Sequence, residues 1–363
     1  MSRKSTVSTM EDGKYVDGSL YYYAPNKPAP IVFTLLFTLS GTLHFYQSSH
    51  HSSWRITWIY SWSSLLFIAG YALRTAGAYH FGNINIFISS LVLLYAAPPL
   101  YELGNYLVLS RCLHYMPHLS PLHPHRTLTL FLGLSVGVEV LTANGAAQSI
   151  TGSTQAKQDT GKALLKAALV LQLGVMGLLL AVAGTYHRRA ARAGILTNHS
   201  GKADIRNVLI TLYCSCGLIT VRTIYRTVEY FFAAALHPPY TAGEDISPLI
   251  RYEWFFWVFE GMLMITNSAL LNWRHPGKYL PKRNNIFLRP DGTERVGEEF
   301  KDQRPFLLVL FDPLDILGLV LRTDKKWWED ENLPTPAEEE ARRAEGGREG
   351  GREGGKESSS TRS

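Results

Sequence analysis

This 363-residue chain predicts an all-α, polytopic membrane protein: seven transmembrane helices, the N-terminus outside and the C-terminus cytosolic. Three observations predict it. Apolar blocks near the roughly 20 residues that cross a hydrocarbon core as helix recur along the chain, separated by short loops of Pro, Gly, His and charge. A mean hydropathy of −0.03 conceals a division, since the chain is mostly apolar up to Trp273 and mostly charged and polar after it. Lys and Arg fall unevenly between alternate loops, which orients the bundle.

The blocks run Pro30 to Tyr46, Ile56 to Leu73, Ile84 to Leu109, Leu128 to Ala147, Ala163 to Tyr186, Asn207 to Ala235 and Tyr252 to Trp273. They are too long, and lack the alternation, for regular strands. One set of loops carries Arg55, then Arg111 and Arg126, then Arg188, Arg189, Arg192, Lys202 and Arg206, then the basic tail. The other carries Arg74, Lys157, Lys162 and Arg251. The richer set is cytosolic by the positive-inside rule, so the sequon Asn198-His-Ser200 falls in a cytosolic loop and stays unmodified. The segments expected are 1–29 outside, with no apolar stretch of signal-peptide type, 30–273 as the membrane domain, 274–334 as a cytosolic juxtamembrane region, and 335–363 as a disordered tail. Within 274–334, Arg289-Pro-Asp-Gly-Thr-Glu reads as a turn. Phe306 to Leu321, interrupted by Asp312 and Asp315, reads with Lys325-Lys-Trp-Trp328 as an interfacial segment. The Glu/Arg/Gly/Ser composition of the tail supplies too little apolar surface to offset ordering.

The net charge of +6 does not indicate nucleic acid, because the basic residues sit in loops and tail where topology and anionic headgroups account for them. Three cysteines, Cys112, Cys214 and Cys216, make no disulfide framework. No nucleotide loop, serine elbow or paired-cysteine motif is visible. The loop histidines His114, His118, His123 and His125 lack a ligand frame. Neither an enzyme, a metal nor a cofactor is expected.

Chemistry is concentrated in charges within apolar segments, which are costly there and so face partners or wet cavities. Arg222, Arg226 and Glu229 share one face of the sixth block at i, i+4, i+7. Glu253 and Glu260 are seven apart in the seventh. The two stripes predict a polar site in the outer half of the bundle, a headgroup contact or a gating lock, with the guanidiniums suited to phosphate and the acids to an amine. Glu139 stands mid-way along the fourth block. In the third, Pro98-Pro99 breaks the hydrogen-bond ladder and kinks the helix, with Glu102 one turn on. Gln172 and His44 read as packed and hydrogen-bonded.

These residues resemble the fungal RTA-like family, the lipid-translocating exporters, over roughly residues 20 to 300. The resemblance is carried by Arg222-x3-Arg226-x2-Glu229-Tyr230, Glu253-Trp-Phe-Phe-x3-Glu260, Asn272-x2-His275-Pro276-Gly277-x2-Leu280, Gly70-Tyr71-x2-Arg74, Ala97-Pro98-x7-Tyr106-x4-Arg111 and Gly161-x10-Gln172. Departures are Phe67, where the family often has an acid, Glu139 and Glu260, where it usually has Asp, and Ala146, where it often has glutamine.

The resemblance implies a multi-pass protein of a fungal plasma membrane or endomembrane that exports or flips sphingoid long-chain bases, phospholipids or toxic amphiphiles and confers stress resistance. The reading adopted is a translocator that carries the polar headgroup along a groove between helices three, four, six and seven while the tails stay in lipid. Its partners are membrane lipids, the amphiphilic substrate and a cytosolic partner at the tail. A seven-helix sensor, or a regulator of a flippase, shares the same topology and is the alternative.

Overall fold

A computed structural model describes residues 8–11, 14–17, 25–80, 82–122, 124–151, 153–195, 204–233, 247–281, 283, 285–297, 328, 330 and 333–341. Among them are seven helices long and apolar enough to cross a membrane. They are α1 (Pro28–His50), α2 (Trp54–Tyr79), α3 (Ile84–Tyr115), α4 (Pro124–Thr151), α5 (Gln155–Arg192), α6 (Ile205–Ala233) and a composite seventh span, Trp254–Tyr279. The first five expected blocks each lie within one helix; the end of the sixth falls beyond the described residues, and the seventh begins two residues before its composite span. The helices run longer than the apolar blocks because polar residues extend them past the hydrocarbon.

Local chemistry sets the ends. Pro28 and Pro30 sit in the first turn of α1, where no backbone N–H bond is forfeited. Asn83 caps α3 by accepting from the Asn85 and Ile86 amides. Thr154 caps α5 through Lys157, and Asp204 caps α6 through Asn207. Within the spans, hydroxyls return to the carbonyl four residues earlier, as Thr34, Thr38 and Thr42 do, which satisfies them without water. α3 runs through Pro98 and Pro99, and Ser63 of α2 donates to the Ala97 carbonyl beside them at 2.8 Å.

Neighbours in sequence pack together, the seventh span closes back on α1 and α6, and α3 meets α6 across the centre. α4 and α5 form a tight hairpin near their linked ends. A Cβ on Gly161 would lie 2.3 Å from the Ser149 nitrogen and 2.7 Å from the Gly145 carbonyl. The seventh span is α-helical over Trp254–Phe256, π-helical over Trp257–Met262 and α-helical again over Leu263–Trp273. Gly261 inside the π turn lets the Phe33 ring approach to 2.8 Å from where a Cβ would stand.

Short strands also occur: β1 (Ser8–Glu11) pairs with β2 (Lys14–Asp17), and β3 (Ile286–Leu288) with β4 (Glu294–Val296), both antiparallel. The turn expected at Arg289 joins the second pair, with Gly292 at φ 81° and the Asp291 carboxylate accepting from the Thr293 amide and hydroxyl. This hairpin docks on the end of α3, where Tyr115 donates to Glu294 at 2.8 Å. Residues 336–341 are helical, started by a reciprocal Thr335–Glu338 box. Phe306 to Leu321, Lys325 to Trp327, the sequon and the tail after 341 lie outside the described residues.

Candidate functional site

Helix α6 presents Arg222, Arg226 and Glu229 on the face that its spacing dictates, but the three take different partners. Arg222 reaches the seventh span. Its Nε donates to Glu260 Oε1 at 3.0 Å and its Nη2 contacts the same oxygen, with the two side chains 6% and 0% exposed. The π turn holds this carboxylate, and its second oxygen, Oε2, has no partner among the described residues. Arg226 turns back to Glu229 on its own helix and lies 4.0 Å from the Tyr95 ring.

Glu253 faces no arginine of α6. One oxygen accepts from Arg74 of α2 at 2.9 Å, the other from the Asn26 amide before α1 at 2.8 Å, and Arg74 lies over the Phe256 ring at 4.1 Å. The apposition of two stripes is therefore made at Arg222 and Glu260 alone. Glu253 lies a turn above the π segment, level with the end of α2, where Arg74 is the nearer cation.

The remaining predicted acids meet elsewhere. A cavity of about 380 Å³ opens between α3, α4 and α5. Its polar lining is Glu102 and Tyr106 from α3, Ser135 and Glu139 from α4, and Gln172 from α5, and Pro99 forms part of its wall. Glu102 is buried and receives Gln172 Nε2 at 2.8 Å on one oxygen and the Tyr106 hydroxyl at 3.4 Å on the other. Gln172 is thus hydrogen-bonded, as its place in an apolar face requires. Glu139 stands at the exposed edge, and Leu132, Val136 and Val140, which also line the cavity, are exposed on the bundle's outer surface. The mouth therefore faces sideways, toward where acyl chains would lie. No basic side chain is among the described lining residues.

The cavity is thus a lateral, mostly apolar opening with five polar side chains on its wall. The family model for RTA1-like proteins matches residues 60–283. The chain belongs to that family. A relative from Leptosphaeria maculans named as a lipid-translocating exporter-like protein is 38% identical over 322 residues, 85% of this chain and 60% of the relative. The chain therefore spans less than two thirds of that relative's length. A like-named protein of Ajellomyces capsulatus is 29% identical over 68% of this chain and 76% of its own. A probable lipid transporter of Emericella nidulans is 24% identical over 77% of this chain and 73% of its own. No solved structure matches the chain.

Phe33, Trp257 and Asn267 were not singled out from sequence, and two of them join residues that were. Phe33, Tyr71 and Trp257 stack with centroids 5.3 to 6.0 Å apart beside Arg74, and the Tyr71 hydroxyl and Trp257 Nε1 are buried without a hydrogen bond. At the other end, His44 bonds Ser268 at 3.1 Å, as a packed and hydrogen-bonded histidine does, and lies tilted toward His275, which stacks on His51. Asn267 is fully buried with both amide heteroatoms bare. An amide at i+7 from Glu260 was the available signal, since that spacing returns to the same helix face.

Proposed function

We propose that this protein translocates amphiphiles with a cationic headgroup, an amine above all, and that the headgroup travels along the groove between α3, α4 and α5 while the chain stays in lipid. The observation that carries the reading is the groove itself: two carboxylates, an amide and two hydroxyls at the depth of the membrane-spanning helices, with an apolar mouth facing sideways. A charged or polar headgroup crossing hydrocarbon unaided costs several kcal/mol for each unsatisfied group. Glu139 at the edge and Glu102 inside offer successive counter-charges that reduce it. A phosphodiester would meet two acids and no base, so the lining disfavours anionic phospholipids. The Arg222–Glu260 pair serves as the gating contact behind the groove, and the Arg74–Glu253–Asn26 bridge as a clasp at one end of it.

Lipid transport is supported by the names of the relatives, and the headgroup preference by the acidic lining. The test is photo-crosslinking in membranes with a long-chain amine carrying a photoreactive group near the nitrogen. Labelling concentrated on α3, α4 and α5, competed by unlabelled amine but not by phosphatidylcholine, is the expected result. Labelling spread evenly over all seven spans refutes the groove.

A further inference from the structure

A file of imidazoles runs from one end of the bundle into its interior. His50, at the end of α1, is exposed and His51 is half-buried, whereas His275 and His44 are 1% and 0% exposed. Their ring centroids follow one another at 5.0, 5.6 and 6.3 Å. His44 then meets Ser268 of the seventh span at 3.1 Å. The Ser268 hydroxyl accepts from Tyr101 of α3 at 2.7 Å and shares a hydrogen bond with Ser40 of α1 at 2.6 Å. Ser40, Tyr101 and Ser268 each stand near the middle of their spans, so the file ends deep in the bundle.

Protein groups do not satisfy the inner part of this file. Both nitrogens of His275 and Nδ1 of His44 are buried without a hydrogen bond, as are the side-chain oxygens of Gln47 and Asn272 on the same two helices. Leaving such a group unpaired costs about 1–3 kcal/mol, and internal water is the usual remedy. Neither His44 nor His275 bonds a carboxylate among the described residues. The titratable groups facing His44 are Tyr60 of α2 and His275, with Tyr101 reaching it through Ser268. Those facing His275 are His44 and His51. The neighbouring cations turn elsewhere, Arg274 to Asn207 of α6 at 3.0 Å and Lys278 over the Tyr279 ring. The imidazoles stand in file rather than around a point, and no group of three metal-ligating side chains is found among the described residues.

Water between successive imidazoles makes a proton relay, because each ring takes up a proton on one nitrogen and releases one from the other. We propose that this file is a proton entry path from the face that carries the α1–α2 loop, with His44 as its terminal binding site, and that proton binding there drives translocation. The proton enters through His51 and His275 and ends on His44 as an imidazolium. A positive charge at a fully buried site with no acid bonded to it is costly. It therefore favours a state in which the His44–Ser268 contact, which ties α1 to the seventh span, is rearranged. The driving role rests on the translocation reading; the path and its binding site do not.

The test reads the path without any lipid substrate. The full chain in lipid nanodiscs is transferred to deuterated water, and exchange of the imidazole C2 hydrogen is followed at each histidine by mass spectrometry across a pH series. That exchange needs both a protonated ring and access for water. The expected result is exchange at His275 and His44 with a sigmoidal pH dependence, while the α1 amides around His44 stay protected. His275→Phe plugs the file, so exchange at His44 is lost while His187, outside the file, exchanges as before. Where His275→Phe fails to fold, His51→Phe at the half-buried mouth decides, with exchange lost at His275 and His44 together. No exchange at His44 in the folded wild type, undiminished exchange behind the plug, or exchange that appears only as the α1 amides open overturns the proposal. In proteoliposomes, amine flux that follows an imposed pH gradient and is lost in His44→Gln completes the driving role, and amine flux indifferent to that gradient overturns it. Exchange along the file without any amine flux counts against the translocation reading and leaves the path standing.

Discussion

Replacing Arg222 by Met strands the Glu260 carboxylate in a site that is 0% exposed. Both side chains are almost wholly buried, so solvent screening does not reduce the penalty, and breaking such a pair from one side costs about 3–5 kcal/mol. That is a large share of the roughly 5–15 kcal/mol that holds a typical domain folded. The double variant Arg222→Met with Glu260→Met removes both charges and fills the space, and replacements of that kind are neutral or stabilising by roughly 1–4 kcal/mol. Unfolding in mixed micelles by SDS titration, run as a double-mutant cycle, measures the coupling directly. A single-variant loss below about 1 kcal/mol, or a double variant as unstable as the single, refutes the claim that these two groups neutralise one another in a water-excluded site. The same double variant separates a structural lock from a working part. A lock alone predicts a stable protein with normal flux. The present account predicts a stable protein whose amine flux is lost.

Other consequences follow from close contacts at single residues. Gly161→Ala places a methyl 2.3 Å from the Ser149 backbone nitrogen, so the α4–α5 hairpin must part at a cost of about 1–3 kcal/mol. Gly177→Ala, with nothing within 4 Å, leaves the unfolding midpoint unchanged or raises it. Tyr115→Phe deletes the bond to Glu294 and loosens the β3–β4 hairpin by about 1–2 kcal/mol, read as faster amide exchange over 286–296 with the bundle's midpoint unaltered. Glu253→Gln removes the charge that joins Arg74 to the Asn26 amide, costs about 3 kcal/mol for a pair this buried, and increases protease cleavage in the segment before α1.

The seven spans were legible because length and continuous hydropathy are properties of local sequence. The Arg222–Glu260 contact was legible for a related reason: charges are so costly in apolar segments that two adjacent charged helices must engage. Which carboxylate engages was not. Glu253 and Arg74 lie 179 residues apart, and their meeting depends on where α2 ends relative to the seventh span, which no spacing rule encodes. The cavity between α3, α4 and α5 was not legible for the same reason, since α5 meets α4 through the Gly145–Gly161 approach and α3 through the Tyr186 hydroxyl bonding the Cys112 carbonyl at 2.6 Å. The π turn leaves no periodic signature in Trp-Val-Phe-Glu-Gly-Met. Strands of three residues are too short to show alternation, so the turn at Pro290-Asp-Gly292 was read and the strands flanking it were not.

The central claim, that the acidic groove carries cationic headgroups, is tested most directly by flip rates in proteoliposomes of a labelled long-chain amine and a labelled phospholipid, with wild type and Glu102→Gln side by side. The account predicts amine flux in the wild type well above phospholipid flux, and its loss in a folded Glu102→Gln protein. Equal flux of both lipids, or undiminished amine flux in that variant, would contradict it.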